Sequence, residues 1–221
     1  IQKCFDNFNH KNLRMDVKIN TKHKSKGENS ETHFIFNQVF DEKKSINKNM
    51  VEFIAPKELS KVKYWRHEYK DTSYYWKAMP ITGSIKKIKN KNQIKKINGF
   101  VNIFEQGFEN IEIENLGIES NGNDVVHKIK LMFNDIKSSN DIFVWIDSEK
   151  YLLVKLEIVD KKEQPLESIE FSNYKQIDSK FFAQKISKVS INKNIISDFE
   201  ISNIELNIHK DLSIFEPTKK K

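Results

Sequence analysis

The sequence predicts a mainly β protein built on a strongly curved antiparallel sheet, and three observations carry that expectation. Strand-like segments recur at short spacing along all 221 residues, with no Pro/Gly/Ser-rich linker or internal repeat between them. In residues 151–159, Leu152, Val154, Leu156 and Ile158 share one face while Lys155 and Glu157 occupy the other, so the sheet is expected to be covered on one side only. Sixteen Phe, six Tyr and three Trp exceed what a plain sandwich of this size needs. An open, curved sheet would display that surplus on its concave side. A single domain spanning 1–221 is expected, and a chain of this size buries about 70–75% of its unfolded surface.

Taken in order, Ile1, Cys4, Phe5 and Phe8 stand at helical spacing, predicting a short amphipathic N-terminal helix over 1–9 that lies on the sheet. Residues 13–20 alternate, with Leu13, Met15, Val17 and Ile19 on one face, and residues 33–40 do so again through Phe34, Phe36 and Phe40. The stretch from Val51 to Pro80 holds three short strands rich in aromatics: Pro56 ends the first, and Asp71-Thr72-Ser73 turns the second into the third. A short strand over 85–89 follows. Lysines 86, 87, 89, 91, 95 and 96 then give way abruptly to glutamates 105, 109, 112, 114 and 119. Across that switch Ile97, Val101, Phe104 and Phe108 form a helix face, weakened by about 1 kcal/mol at each of Gly99 and Gly107. The remainder reads as strands over 111–119, 125–133, 142–147, 151–159, 166–174, 181–191 and 196–208, with Asn203 breaking the alternation of the last.

Composition narrows the function. The net charge of +7 is nearly all lysine, since Arg14 and Arg66 are the only arginines. A lysine point charge cannot make the bidentate contact with guanine that sequence readers of DNA rely on, so nucleic acid is not an expected partner. Mean hydropathy is -0.65 and no apolar run is long enough to span a bilayer as a helix. The sequence starts at Ile1 without a Met, as a mature or trimmed form would, and shows no signal peptide, so export is not legible in these residues. Cys4 is the lone cysteine and allows no internal disulfide.

Catalytic constellations do not emerge. The six histidines lack metal-ligand spacing. Gly117 and Gly122 have the spacing of a phosphate loop, but Asn123-Asp124 follow where Lys-Ser/Thr is required. Ser84 and Ser120 have no recognisable base, and Glu112 with Glu114 reads as a charged strand face that discourages edge pairing. No catalytic residue, metal or cofactor is expected.

Two stretches resemble a known family. Phe53-Ile54-Ala55-Pro56 closes an apolar strand and Trp76 stands four residues before Pro80, an order similar to that of the LolA-like outer-membrane lipoprotein-sorting proteins. The run from Val144-Trp145-Ile146-Asp147 through Phe171-Ser172-Asn173-Tyr174 to Phe215-Glu216-Pro217 resembles the C-terminal half of the same family. The resemblance implies an incomplete β-barrel, a LolA-like half-barrel with an N-terminal helix and a short helical lid over its concave face. The acyl chains of a lipoprotein would lie in the concavity. One chain of about 16 carbons is worth roughly 12 kcal/mol against water. Several, fully enclosed, would approach the ceiling of roughly 18–21 kcal/mol and release too slowly, which favours partial enclosure.

On that reading the acyl groove is expected to draw on Phe34, Phe36, Phe53, Tyr64, Trp65, Trp76, Met79 and Trp145, with only one of the adjacent Tyr64 and Trp65 facing inward. The lid candidates are Ile97, Phe100, Val101, Phe104 and Phe108. The best-known carriers of the family latch the lid with an arginine before the strand-ending proline. Ala55 stands there in this chain, so Arg66 is the candidate latch. The implied activity is that of a monomeric periplasmic carrier of acylated lipoproteins. It would take them from an inner-membrane release complex of the ABC-transporter class to an outer-membrane acceptor. A lipid- or lipoprotein-sensing regulator of the same fold ranks second, a basic nucleic-acid-binding module third, and a lipid-acting enzyme last.

Overall fold

Alternating segments become strands because a period of two places every second side chain on one face, where it can be buried. In a computed structural model, described over residues 3–4, 11–70, 72–80, 82–89, 111–121, 124–133, 140–208 and 211–218, the chain forms thirteen strands. They are β1 (Asn12–His23), β2 (Glu28–Asp41), β3 (Ile46–Ala55), β4 (Lys63–Glu68), β5 (Ser73–Ala78), β6 (Ile85–Lys87), β7 (Ile111–Asn121), β8 (Asp124–Phe133), β9 (Asp141–Asp147), β10 (Leu153–Val159), β11 (Pro165–Ile177), β12 (Lys180–Ser190) and β13 (Ile195–Leu206). Two short 3-10 turns, Ile191–Lys193 and Leu212–Phe215, accompany them. Hydrogen-bonded neighbours follow the order β6-β5-β4-β3-β2-β1-β13-β12-β11-β10-β9-β8-β7, which is linear and not closed into a barrel. The short connections force sequential strands into antiparallel pairs such as β3 with β4 and β11 with β12.

Two compact units share this order. One comprises Ile1–Asn9, Asn20–Ser30 and Phe104–Glu200, and the other His10–Ile19, Glu31–Ile103 and Ile201–Lys221. The first unit, carrying β7 to β12, packs Leu131, Val144, Leu156, Ile169, Phe171 and Ile186 as buried residues. Leu156 stands in register with both Val144 and Ile169, so these side chains share a face. A register shift between Leu153 and Lys155 lets Leu153 be buried as well, which simple alternation over 151–159 does not anticipate. Cys4 is also buried in this unit, and loss of solvation pushes its thiol up to about 12. Of the residues expected to form the N-terminal helix, only Lys3 and Cys4 are described, and both are helical. The lid candidates Ile97, Phe100, Val101, Phe104 and Phe108 lie outside the described residues.

In the second unit the expectation of a sheet covered on one side fails at β3 and β4. Lys48, Met50, Trp65 and His67 are buried on one face, and Asn49 and Arg66 on the other. The reason for the first face is the chain's own C-terminal segment, described next. At the end of β13, Asn203 adopts φ 49° and its amide donates to Asp16 Oδ2 at 2.8 Å, so the break in alternation is a left-handed residue held by β1.

Candidate functional site

Register assigns the aromatic side chains of the second unit to two opposite faces, because residues paired across a ladder point the same way. On one, Met50 pairs with Trp65 and Trp65 with Trp76, while Lys48 pairs with His67 and His67 with Tyr74. On the other, Phe34 pairs with Phe53, and Phe36, Val51, Tyr64 and Lys77 follow one another across four strands.

The first face is occupied by residues 211–216. Phe215 is fully buried in a cluster with Val39, Met50 and Trp65, against which Trp76, Ala78 and Leu212 pack. Backbone polarity of the segment is satisfied by the strands: the Trp65 indole N–H donates to the Ile214 carbonyl at 2.9 Å, and His67 Nε2–H donates to the Phe215 carbonyl at 2.7 Å. Burial pushes His67 below its ordinary pKa against the opposing pull of that carbonyl, so the ring is neutral at pH 7. Asp211 starts the 3-10 turn by accepting from the Ser213 N–H at 2.9 Å.

An ion pair locks the segment in place. Lys48 Nζ lies 2.9 Å from Asp41 and 2.7 Å from Glu216, with 2% of its side chain exposed. Burial lowers the ammonium's pKa, but the two carboxylates outweigh it and the net direction is up. The hydrogen bond from Lys48 holds Asp41 below the usual carboxylate range; for Glu216 burial is the largest influence and acts upward, but the Lys48 hydrogen bond and the attraction of Lys48 and the neighbouring cations together bring it below its ordinary value. All three groups are therefore charged and mutually engaged, which suits a clasp better than proton transfer.

The second face carries no such segment of the described chain. Phe34 and Phe53 rings stand 5.6 Å apart, Phe53 and Tyr64 meet edge to face at 5.7 Å, and Lys77 Nζ lies 5.4 Å from the Tyr64 ring. Phe36 is buried, while Phe34, Phe53 and Tyr64 are half-buried. Four of the eight sequence-chosen groove residues thus meet on one face, whereas Trp65 and Trp76 lie beneath the C-terminal segment. This settles the directions of the adjacent pair: Tyr64 joins the aromatic row of the second face and Trp65 the clasp. Met79 sits in the turn after β5, 40% exposed, where its N–H bonds the Ser84 carbonyl. Arg66, the candidate latch, shares the second face with Tyr64 and is bonded to Glu68.

Trp145 belongs to the first unit and stands among charged residues. It pairs with Lys128 on β8 and Lys155 on β10, whose ammonium groups lie 5.1 Å and 4.9 Å from its ring. Its indole N–H donates to Glu119 at 2.9 Å. Its neighbours Val144 and Ile146 point to the opposite, apolar face. Gly117, singled out by glycine spacing, occupies a bulge of β7 with φ 105° and donates its N–H to the Asn115 side chain at 3.0 Å. Among the described residues no group of three or more His, Cys, Asp or Glu is placed to hold a metal, and no helix is long and apolar enough to cross a membrane.

Residues that sequence reasoning passed over include Asp41, Lys48, His67 and Glu216. The available signal was Lys48 itself, which alternates with Ile46 and Met50 and so occupies an apolar-face position where a lysine needs a buried partner.

The linear antiparallel sheet is a LolA-like fold, shared with solved structures to which the chain is similar. A protein of the DUF1329 family from Desulfovibrio piger superposes with a TM-score of 0.80 at 12% identity, over 97% of this chain and 93% of its own. An outer membrane lipoprotein-sorting protein domain from Vibrio parahaemolyticus gives 0.74 at 18% identity, covering 97% of both chains. A LolA superfamily protein from Nitrosomonas europaea gives 0.69 at 14% identity over 97% and 94%. By sequence, the chain belongs to a protein family whose model, described as "Uncharacterized protein", matches residues 45–219. No curated protein matches the sequence.

Proposed function

We propose that the protein is an envelope carrier that binds the acyl chains of lipoproteins against the face formed by Phe34, Phe36, Val51, Phe53 and Tyr64. The observation that carries this reading is the asymmetry between the two faces of β2 to β5. One is filled by the chain's own Phe215 segment, and the other presents a row of rings, Phe36 buried and Phe34, Phe53 and Tyr64 half-buried, with no equivalent segment over it among the described residues. Aromatic faces of that kind suit flexible alkyl chains, which gain about 0.8 kcal/mol for each CH₂ buried. The LolA-like fold supports a carrier, and the lipoprotein-sorting description of one structural neighbour supports the ligand class. Passage from an inner-membrane release complex to an outer-membrane acceptor, through the periplasm and as a monomer, completes the proposal.

The test is release. Purified protein is added to spheroplasts carrying a labelled triacylated lipoprotein, and the soluble fraction is sized for a one-to-one complex. Label in that complex is the expected result. Label retained in the membrane, with fluorescent fatty acid still bound, would replace lipoprotein by free lipid as the cargo; binding of neither would overturn the carrier reading.

A further inference from the structure

The aromatic face ends in a polar row. Continuing along β3 from Phe53 and Val51, the next residues on that face are Asn49 and Asn47, and Gln38, Arg66, Glu68 and Tyr75 stand beside them in register on β2, β4 and β5. Asn49 is 5% exposed, and its side-chain carbonyl oxygen is buried without a hydrogen-bond partner. The Asn47 carbonyl oxygen, two residues along the same strand, is buried and unpartnered as well. A buried acceptor left unpaired costs about 1–3 kcal/mol, so two on adjacent positions of one strand face call for a donor. Arg66 and Glu68 neutralise each other through their ion pair, which leaves the row polar without a net charge. It therefore suits a neutral donor better than a phosphate.

The strand rise places Asn49 about 7 Å from Val51 and about 13 Å from Phe53 along the same face. A ligand whose alkyl chain lies on the rings brings the group that joins chain to head onto the asparagines.

Resting on the carrier reading, we infer that Asn47 and Asn49 form a head-group subsite that accepts a hydrogen bond from an amide N–H next to an acyl chain, so that the protein prefers amide-linked over ester-linked acyl ligands. Such an amide occurs at an N-acylated protein terminus and in amide-linked lipids, and both sources present the same donor.

The experiment compares N-palmitoylglycine with its ester counterpart, palmitoyl glycolic acid, as competitors for a bound fluorescent fatty acid. The two differ only in N–H against O. The whole chain is expected to bind the amide about tenfold more tightly, and Asn49→Leu to abolish that preference, so that amide and ester compete equally. Asn47→Leu serves as a second variant should Asn49→Leu fail to fold, with a smaller loss of preference expected. Equal binding of amide and ester, or a preference that survives both substitutions, overturns the subsite and assigns the row to bound water, with the carrier reading intact. If neither compound nor fatty acid binds, the carrier reading falls and the subsite with it. The release assay with an N-acylated and an N-unacylated lipoprotein then separates protein from lipid as the source of the amide.

Discussion

One strand lysine of the second unit and four of the first are held in contrasting ways. In the second, Lys48 is buried between Asp41 and Glu216, with 2% of its side chain exposed. In the first, Lys128, Lys130, Lys155 and Lys188 each meet one carboxylate (Glu119, Asp141, Glu157 and Glu167) at 3.0, 2.7, 2.7 and 2.7 Å, with 19–29% of the side chain exposed. Pair distances are the same in both places. What differs is solvent: a charge that has lost its water depends wholly on its partner, whereas a half-wet one has an alternative. The half-buried lysines also approach aromatic rings, as where the ammonium groups of Lys128 and Lys155 lie over Trp145.

The comparison is broken most directly by Lys48→Met. The substitution keeps the stem and removes the charge, leaving Asp41 buried with no cation and Glu216 free to detach. A loss of roughly 3–5 kcal/mol is expected, the usual consequence of stranding one member of a buried pair. Urea unfolding followed by tryptophan fluorescence reads it as a lower midpoint at unchanged slope. A loss under about 1 kcal/mol would place the buried pair on the same footing as the surface ones.

Titration sharpens the contrast at intermediate size. Asp41 and Glu216 have folded pKa values below their unfolded ones, so their contribution is present above about pH 4 and is lost as pH falls through the depressed values. His67, also depressed, contributes above about pH 6.5 and loses that contribution as protonation competes with burial below it. Lys48 has a raised value, so its share is complete below about pH 10.4 and lost only on passing the higher folded value. The expected result is a clasp stable across neutral pH that loosens in two acid stages. His67→Phe should remove the stage that lies below the ordinary histidine range of about pH 6.5 and leave the carboxylate one. A curve for His67→Phe that overlays the parent's through that range would take His67 out of the clasp's acid response.

These effects also separate what the chain's pattern discloses from what it conceals. Strands were legible wherever one face is apolar and the other polar, as with Leu13 and Val17 on β1, because burial on one side imposes a period of two. The LolA-like fold was legible through Phe53 to Pro56 and the closing Phe215-Glu216-Pro217. Faces were not legible where both sides carry rings: Tyr64 and Trp65 are equally aromatic, and only the Ile214 carbonyl, 149 positions away, decides that Trp65 turns toward the clasp. The clasp itself was hidden for the same reason, since Lys48 and Glu216 are 168 positions apart and nothing local pairs them. Trp145 was chosen for size, yet its alternation with Val144 and Ile146 already placed it on the charged side.

The smallest effect tests the other half of the comparison. Lys130 meets Asp141 at 2.7 Å and lies 5.7 Å from the Phe143 ring, with 19% of its side chain exposed. The Asp141 hydrogen bond raises its pKa, so the pair is charged through the neutral range. Lys130→Met retains the stem that covers Phe143 and gives up only the ammonium, whose partner can turn to water. The expected cost is about 0.2–1 kcal/mol. Raising salt from about 0.15 M to 1 M shortens the screening length from about 8 Å to about 3 Å and should shrink the difference between variant and parent further. The Lys48→Met penalty should hardly change over the same range, because ions do not reach a buried pair. A Lys130→Met loss above about 2 kcal/mol, insensitive to salt, would mean that the first unit's lysines are desolvated too, and that exposure does not separate the two regions.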